Sequence, residues 1–240
     1  MEVLEIRTVF SLSLFNYTIP ITETVIVSWI VMFILVAASV ILTHKLKEVP
    51  KGSQVFLEAG VEFLNGFAKK QFGSFSKNLG PYMGSLFLFV FMTSVISVFS
   101  PVEIKFFGHV FTPLFTIHPP TRDINVTAAL ALISILLILV SGFSARGIKG
   151  WFKHLLHPLP VMLPFNLMEY GTRLLSLALR LFGNVMGSAV MMRLIAQLFP
   201  LVLPMIFALY FELFDSLIQA GIFVFLTSLY ISEAVKVNGE

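Results

Sequence analysis

Cysteine is absent from the sequence, which excludes disulfide frameworks, thiolate metal centres and cysteine nucleophiles. Charge is scarce. Asp, Glu, Lys and Arg make up 12% of the 240 residues, where an ordinary soluble domain carries about 25%. That deficit leaves too little polar surface to cover a globule in water. The hydrophobic share is 57%, the mean hydropathy is +0.92 and phenylalanine contributes 26 residues, a composition suited to lipid as solvent. Histidine stops at His157, and neither an HExxH pattern nor a Cys/His spacing occurs, so no metal site is expected. His154 and His157 fall in a basic stretch and read as solvated. Gly142 and Gly147 have the spacing of a phosphate-binding loop, but Ile148 follows in place of Lys and no Ser or Thr follows Lys149. No nucleotide site and no cofactor is therefore expected. The isoelectric point near 9.2 does not indicate nucleic acid, because the basic residues lie at the ends of apolar segments, where they orient a chain in a bilayer. The opening MEVLEIRTVF lacks a basic start followed by an apolar core and a cleavage site, so the first spanning helix is expected to direct insertion itself.

What is present is a series of long apolar runs. A helix needs about 20 residues to cross the hydrocarbon layer. The first candidate extends from about Ile21 to Thr43 and ends at His44-Lys45-Leu46-Lys47. Across 51–73, Val55, Phe56, Ala59, Phe63 and Phe67 recur at helical spacing between Glu58, Glu62, Lys69 and Lys70, the pattern of an amphipathic helix lying on a membrane surface. A second span is expected over about 81–99, then a Pro- and aromatic-rich loop over 100–122. Asp123 is placed to cap a third span over about 124–143. Residues 144–159 carry Arg146, Lys149 and Lys153 and read as a basic connection, stiffened by Pro158, Pro160 and Pro164.

Two longer apolar stretches follow, over about 164–199 and 201–236. Each is about 35 residues, or about 52 Å at 1.5 Å per residue, against a hydrocarbon layer of about 30 Å, so both must tilt or protrude. The short turn at Pro200 suggests an antiparallel hairpin. The expected fold is an all-α integral membrane protein of one domain over 1–240, with five transmembrane helices and one interfacial helix. One side of the membrane collects Lys45, Lys47, Lys51, Lys69, Lys70, Lys77, Arg146, Lys149, Lys153 and Lys236; the other holds Arg7, Lys105 and Arg122. The excess of positive charge assigns the first set to the cytoplasm, with the N-terminus outside and the C-terminus inside.

Three arginines remain, Arg173, Arg180 and Arg193, all on the first long helix. Arginine at mid-bilayer costs from about 2.5 to more than about 10 kcal/mol. Arg173 and Arg193 lie nearer the two ends and can snorkel; Arg180 has no such exit. Ser176, Arg180, Gly183, Asn184 and Gly187 fall on one helical stripe. Gly183-x-x-x-Gly187 reads either as ordinary helix packing or as a place where another helix passes close to a fixed positive charge. The second long helix carries Glu212, Asp215, Ser216 and Gln219 at spacings of three, one and three residues. Carboxylates inside a membrane are candidate ion-path groups, although Glu212 can also pair with Arg193 across the hairpin. Glu169, near the cytoplasmic start of the first long helix, is either a further ion-path carboxylate or a partner of the helix dipole. A guanidinium that cannot lose its proton would block a direct cation path between the two sets of carboxylates.

The segment Ser176-Leu177-Ala178-Leu179-Arg180-Leu181-Phe182-Gly183-Asn184 resembles the signature of subunit a of the bacterial F-type ATP synthase. Gln219-Ala220-Gly221-Ile222-Phe223-Val224-Phe225, Leu229-Tyr230 and Pro164-Phe165-Asn166-Leu167 are similar to further segments of that family. The resemblance covers the whole chain and implies a stator subunit of the bacterial inner membrane, held against a rotating ring of c subunits, with the b subunits of the peripheral stalk and the rest of the F1F0 complex as partners. It implies two offset half-channels for H⁺ or Na⁺, with Arg180 as the essential charge barrier. Asn184 and Gln219 fall on the family's asparagine and glutamine, and Gly183 and Gly187 would face the ring. Many members carry an acidic residue or histidine five residues after the asparagine, where this chain has Ala189; Glu212 matches a glutamate found in other members. The outer half-channel is then expected to use Glu212, with Asp215. The chain would not be an enzyme alone. A secondary transporter would call for inverted repeats and broken helices, which are not visible, and a passive scaffold leaves Arg180 without a reason.

Overall fold

The computed structural model describes residues 8–14, 17–44, 46–47, 52–73, 76–96, 104–106, 109–111, 119–155, 161, 163–198, 207 and 210–235, and statements about structure concern these. Six α-helices carry most of the chain. Helix α1 runs Glu23–Thr43, α2 Ser53–Phe72, α3 Ser76–Val95, α4 Ile124–Leu155, α5 Leu163–Leu198 and α6 Ser216–Val235. A π-helical turn, Tyr210–Asp215, leads into α6. Two small antiparallel hairpins add to the all-helical expectation: β1 (Thr8–Leu14) with β2 (Tyr17–Thr22), and β3 (Ile104–Phe106) with β4 (His109–Phe111). The second lies inside the segment expected to be loop. In the sequence of the first, Phe10, Leu12 and Leu14 alternate with Ser11 and Ser13, a period of two that suits strand.

Four helices are long and apolar enough to cross a membrane: Glu23–Thr43, Ile124–Trp151, Leu163–Met192 and Leu213–Val235; Leu79–Val95 is a shorter apolar helix. Helix α1 has 21 residues, about 31 Å, and Glu23 in its first turn complements the helix dipole. It buries only one stripe, Thr24, Val27 and Val31, while Trp29, Phe33, Val36 and Ile41 are exposed. Exposed apolar surface of that extent is the inverse of a soluble protein. Buried hydroxyls inside the helices donate to their own preceding turn, as Ser134 does to the Leu130 carbonyl and Thr227 to the Phe223 carbonyl. That satisfies each group without water.

Helix α3 starts five residues before the expected Pro81. Proline near a helix start removes one backbone bond, and the turn before it is held by packing. A Cβ at Gly80 would lie 3.4 Å from the Ala68 Cβ, and one at Gly84 would lie 3.5 Å from Leu64 Cδ1. A glycine ridge on α3 therefore receives α2. Leu79, Met83, Leu86, Val90 and Thr93 line the buried face of α3, at alternating spacings of about 3.5 residues. Helix α2 ends at Gly73, whose φ of 55° suits glycine, with Lys69 and Lys70 in its last turn. Part of its expected apolar face is turned outward: Phe56 and Phe63 are 88% and 75% exposed.

Helix α4 continues twelve residues past the expected end at 143, through the segment read as a basic connection, to Leu155. Gly147 (φ 69°, ψ 161°) interrupts it, a conformation essentially confined to glycine. Beyond that kink Trp151 packs edge-on against Phe143, with ring centroids 4.8 Å apart. Trp151 thus folds the basic turn back onto the helix, which charge alone did not reveal. The last long helix also differs from expectation. Residues 201–206 and 208–209 of the expected 201–236 helix, the Pro200 turn and Lys236 lie outside the described residues, and α6 proper begins at Ser216.

The chain resolves into two compact units. One comprises Met1–Ala38, Phe89–Thr127 and Arg180–Ala220. Its interior is rich in polar side chains, among them Thr24, Thr121, Asp123, Thr127, Ser216 and Gln219. The other comprises Ser39–Leu88, Ala128–Leu179 and Gly221–Glu240, with an apolar interior that includes Met83, Ile138, Leu177 and Phe223. Asp123 caps α4 as expected: its Oδ1 accepts the Asn125 amide at 2.9 Å.

Gly147→Ala is expected to cost about 1–3 kcal/mol, the range for a non-glycine residue held at such a φ/ψ. The space around Gly147 is open, so crowding adds nothing. Thermal unfolding of the detergent-solubilised protein would register the loss as a lower midpoint; an unchanged midpoint would mean the kink relaxes.

Candidate functional site

Helix α5 has 36 residues. Counting Leu163 as the first, Arg180 is the eighteenth, at the midpoint. No Pro or positive-φ Gly breaks the helix around it, so the guanidinium is carried on a rigid element, and Arg180 is half-buried. Leu177 and Leu181 on one side of it are fully buried, while Leu175 and Leu179 are exposed. Arg180 thus stands at the edge between the face turned into the protein and the face turned out. Ser176 and Asn184, one turn to either side, are half-buried as well.

Gly183 and Gly187 lie on the outward face. Both are exposed, and a Cβ at either would meet nothing within 4 Å. The contrast with Gly80 and Gly84 is informative, because there the same four-residue spacing is filled by α2. At Gly183 and Gly187 no neighbour among the described residues fills the space.

Gln219 is 7% exposed, and its Nε2 has no hydrogen-bond partner among the described residues. Ser216, one turn earlier, is equally buried. Asp215 is half-buried and closes the π-helical turn. That turn corrects one expectation. Glu212, Asp215, Ser216 and Gln219 were aligned on the assumption of continuous α-helix, but Glu212 and Asp215 belong to the π turn and only Ser216 and Gln219 to α6. A π turn inserts extra backbone per turn, so it offsets Glu212 from the stripe of α6. The rings of Tyr210 and Phe214 stack across it at 5.3 Å. The side chains of Glu212 and Arg193, and hence their pairing, lie outside the described residues.

In the second unit, Arg173 does not snorkel as expected. Its side chain is 11% exposed. Nη2 donates to the Glu169 carboxylate and, at 2.8 Å, to Glu233 Oε2. The guanidinium also lies 4.5 Å from the Tyr230 ring centroid, a cation–π contact. Glu169 is thus engaged by a side chain one turn along α5. The end of α6 is gripped further: Arg146 Nη2 donates to the Glu233 carbonyl at 3.4 Å, and Ser232 Oγ donates to the Gln71 carbonyl at 2.9 Å. The start of α5 therefore lies beside the end of α6. Sequence reasoning missed Glu233. Its signal was available, because an acidic residue in a last helical turn opposes the helix dipole and calls for a compensating cation.

Long apolar helices, with a guanidinium at the midpoint of one, define a multi-pass helical membrane protein. The family described as ATP synthase A chain matches residues 25–232, from the start of α1 to the end of α6. The chain belongs to that family.

Removing the Arg173 bridge leaves two half-exposed carboxylates side by side. Arg173→Gln is expected to cost on the order of 1 kcal/mol, since both glutamates are partly solvated. Arg173→Lys should recover part of this, keeping the charge without the planar guanidinium that also stacks on Tyr230. A double-mutant cycle of Arg173→Gln with Glu233→Gln, read by thermal unfolding, should give a non-zero coupling energy; strict additivity would remove the bridge from the account.

Proposed function

We propose that the chain is the stator subunit of the membrane sector of an F-type ATP synthase, coupling passage of H⁺ or Na⁺ to rotation of a ring of c subunits. Arg180 is the fixed charge between two offset half-channels. An ion enters from outside past Glu212 and Asp215, binds a ring carboxylate, and leaves towards the cytoplasm past Glu169 after the ring has turned. Ser176, Asn184 and Gln219 border this route as polar groups. Gly183 and Gly187 form the surface that a ring helix passes.

The observation that carries this reading is the position of Arg180: midpoint of α5, at the edge of an outward face with an unfilled glycine ridge, inside the matched region. Mid-bilayer arginine is too costly to persist without a function. Its guanidinium cannot be deprotonated, so it repels cations at every pH the cell meets. Energetics favour a ring of several carriers: one charge crossing 100 mV yields about 2.3 kcal/mol, too little to make ATP singly. This chain supplies no chemical step. The c ring, the b subunits of the peripheral stalk and the rest of the F1F0 complex complete the machine.

The topology that goes with this function has five spans. Helix α3, Ser76–Val95, has 20 residues, about 30 Å, and serves as the fifth beside the four longer helices. Helix α2 lies at the cytoplasmic interface, its exposed Phe56 and Phe63 in lipid. Helices α5 and α6 form a tilted antiparallel hairpin. The N-terminus is outside and the C-terminus inside a bacterial plasma membrane.

Arg180→Ala is expected to abolish ion-driven ATP synthesis in vesicles while the complex still assembles; normal coupled synthesis would sink the proposal. Glu212→Gln is expected to slow uptake from the outside, seen as a lower synthesis rate at saturating ADP. An unchanged rate would transfer that role to Asp215. Synthesis measured against sodium concentration with a protonophore present identifies the ion: sodium dependence means Na⁺, collapse means H⁺.

A further inference from the structure

Asp123 is a buried carboxylate that the route above does not use. It is 2% exposed, and Thr24, beside it, is 3% exposed. The Thr24 hydroxyl donates to Asp123 Oδ2 at 2.9 Å, and the Thr22 and Thr24 hydroxyl oxygens lie 2.7 Å apart. A threonine has one hydroxyl proton. Thr24 gives its proton to Asp123, so in the second bond Thr22 must be the donor. The three groups form one chain with a single direction, from half-buried Thr22 at the end of β2 to the buried carboxylate at the start of α4. Two residues before Asp123, the Thr121 hydroxyl is also fully buried and has no hydrogen-bond partner among the described residues.

Capping accounts for Oδ1, and the helix dipole favours a charge there, but neither calls for the threonine chain on Oδ2. Asn caps a helix about as well as Asp and carries no charge. The partners of the Asp123 carboxylate are neutral, a hydroxyl and the Asn125 amide. A carboxylate this deeply buried within a membrane protein marks function by default.

We propose that Thr22, Thr24 and Asp123 form a proton relay on the outer side of the membrane, and that Asp123 is a further ion-path residue for protons. This deepens the stator reading and rests on it, with H⁺ as the coupling ion. In the relay, the Thr22 oxygen takes a proton from a hydronium ion, leaving water, and Thr22 passes its own to Thr24. Thr24 passes its own to Asp123 Oδ2. Every O–H bond broken is matched by one formed, and the proton ends on a neutral carboxylic acid. The chain resets when Asp123 gives up that proton towards the ring and the two hydroxyls rotate back. The relay carries protons only, because a metal cation cannot hop between hydroxyls.

The test uses the whole ATP synthase in proteoliposomes, with synthesis driven by an imposed pH difference and normalised to assembled complex. Asp123→Asn keeps the cap and removes the acid; it is expected to lower the rate per complex by about tenfold or more, within the range of a lost proton-transfer group. Thr24→Val breaks the relay and should also lower the rate, whereas Thr24→Ser keeps the hydroxyl and should restore it. A wild-type rate per complex in Asp123→Asn, or variants that lower only the amount assembled, would overturn the relay. Arg180→Ala is measured alongside. Loss of synthesis there with a normal Asp123→Asn rate rejects the relay alone, while normal synthesis in Arg180→Ala rejects the stator reading beneath it.

Discussion

A permanent positive charge at the midpoint of a 36-residue apolar helix constrains everything around it. Hydrocarbon offers no solvation for a guanidinium, so the side chain must stand where the protein or a partner supplies polar surroundings. Leu177 and Leu181 turn one face of α5 into the interior, while Leu179, Gly183 and Gly187 face outward. Arg180 occupies the border. In the proposed function, that border is where it meets the passing ring. The helix is held at its start by Arg173, which ties Glu169 on α5 to Glu233 and Tyr230 on α6.

Polar chemistry is unevenly distributed. The unit containing Arg180, Gln219 and Asp123 buries a series of hydroxyl, amide and carboxylate groups, whereas the unit containing α2 buries mostly apolar side chains. Small residues also divide into two kinds. Gly80, Gly84 and Gly142 meet Ala68, Leu64 and Trp151 within the chain, while Gly183 and Gly187 meet nothing among the described residues. Without a hydrophobic drive between helices in lipid, small-residue ridges are where helices approach. The ridge left open beside Arg180 is the surface proposed to meet the ring.

Much of this was legible in the sequence. Long apolar runs bounded by charge locate the helices, because bilayer thickness sets their length. Asp123 announced the start of α4 through its capping chemistry. The LRLFGN stretch and the Gln219 segment pointed to the family that matches residues 25–232. What failed did so for local physical reasons. Pro81 looked like a helix start, but packing at Gly80 and Gly84 extends α3 before it. The basic residues of 144–155 looked like a loop, but Trp151 folds them into a second stretch of α4 beyond the kink at Gly147. The alignment of Glu212 with Gln219 assumed 3.6 residues per turn, and the π turn at Tyr210–Asp215 breaks that assumption. Glu233 escaped notice because its partner lies 60 residues away on another helix, a pairing that periodicity cannot show.

The central claim is that Arg180 is a charge barrier between two half-channels. The most direct measurement is passive ion conductance under an imposed potential, in vesicles whose ring is cross-linked to the stator so that rotation is blocked. With Arg180 in place the locked complex should be ion-tight. With Arg180→Ala, the two half-channels should short-circuit through the stationary ring and the vesicles should leak. A locked Arg180→Ala complex as tight as the wild type would contradict the account.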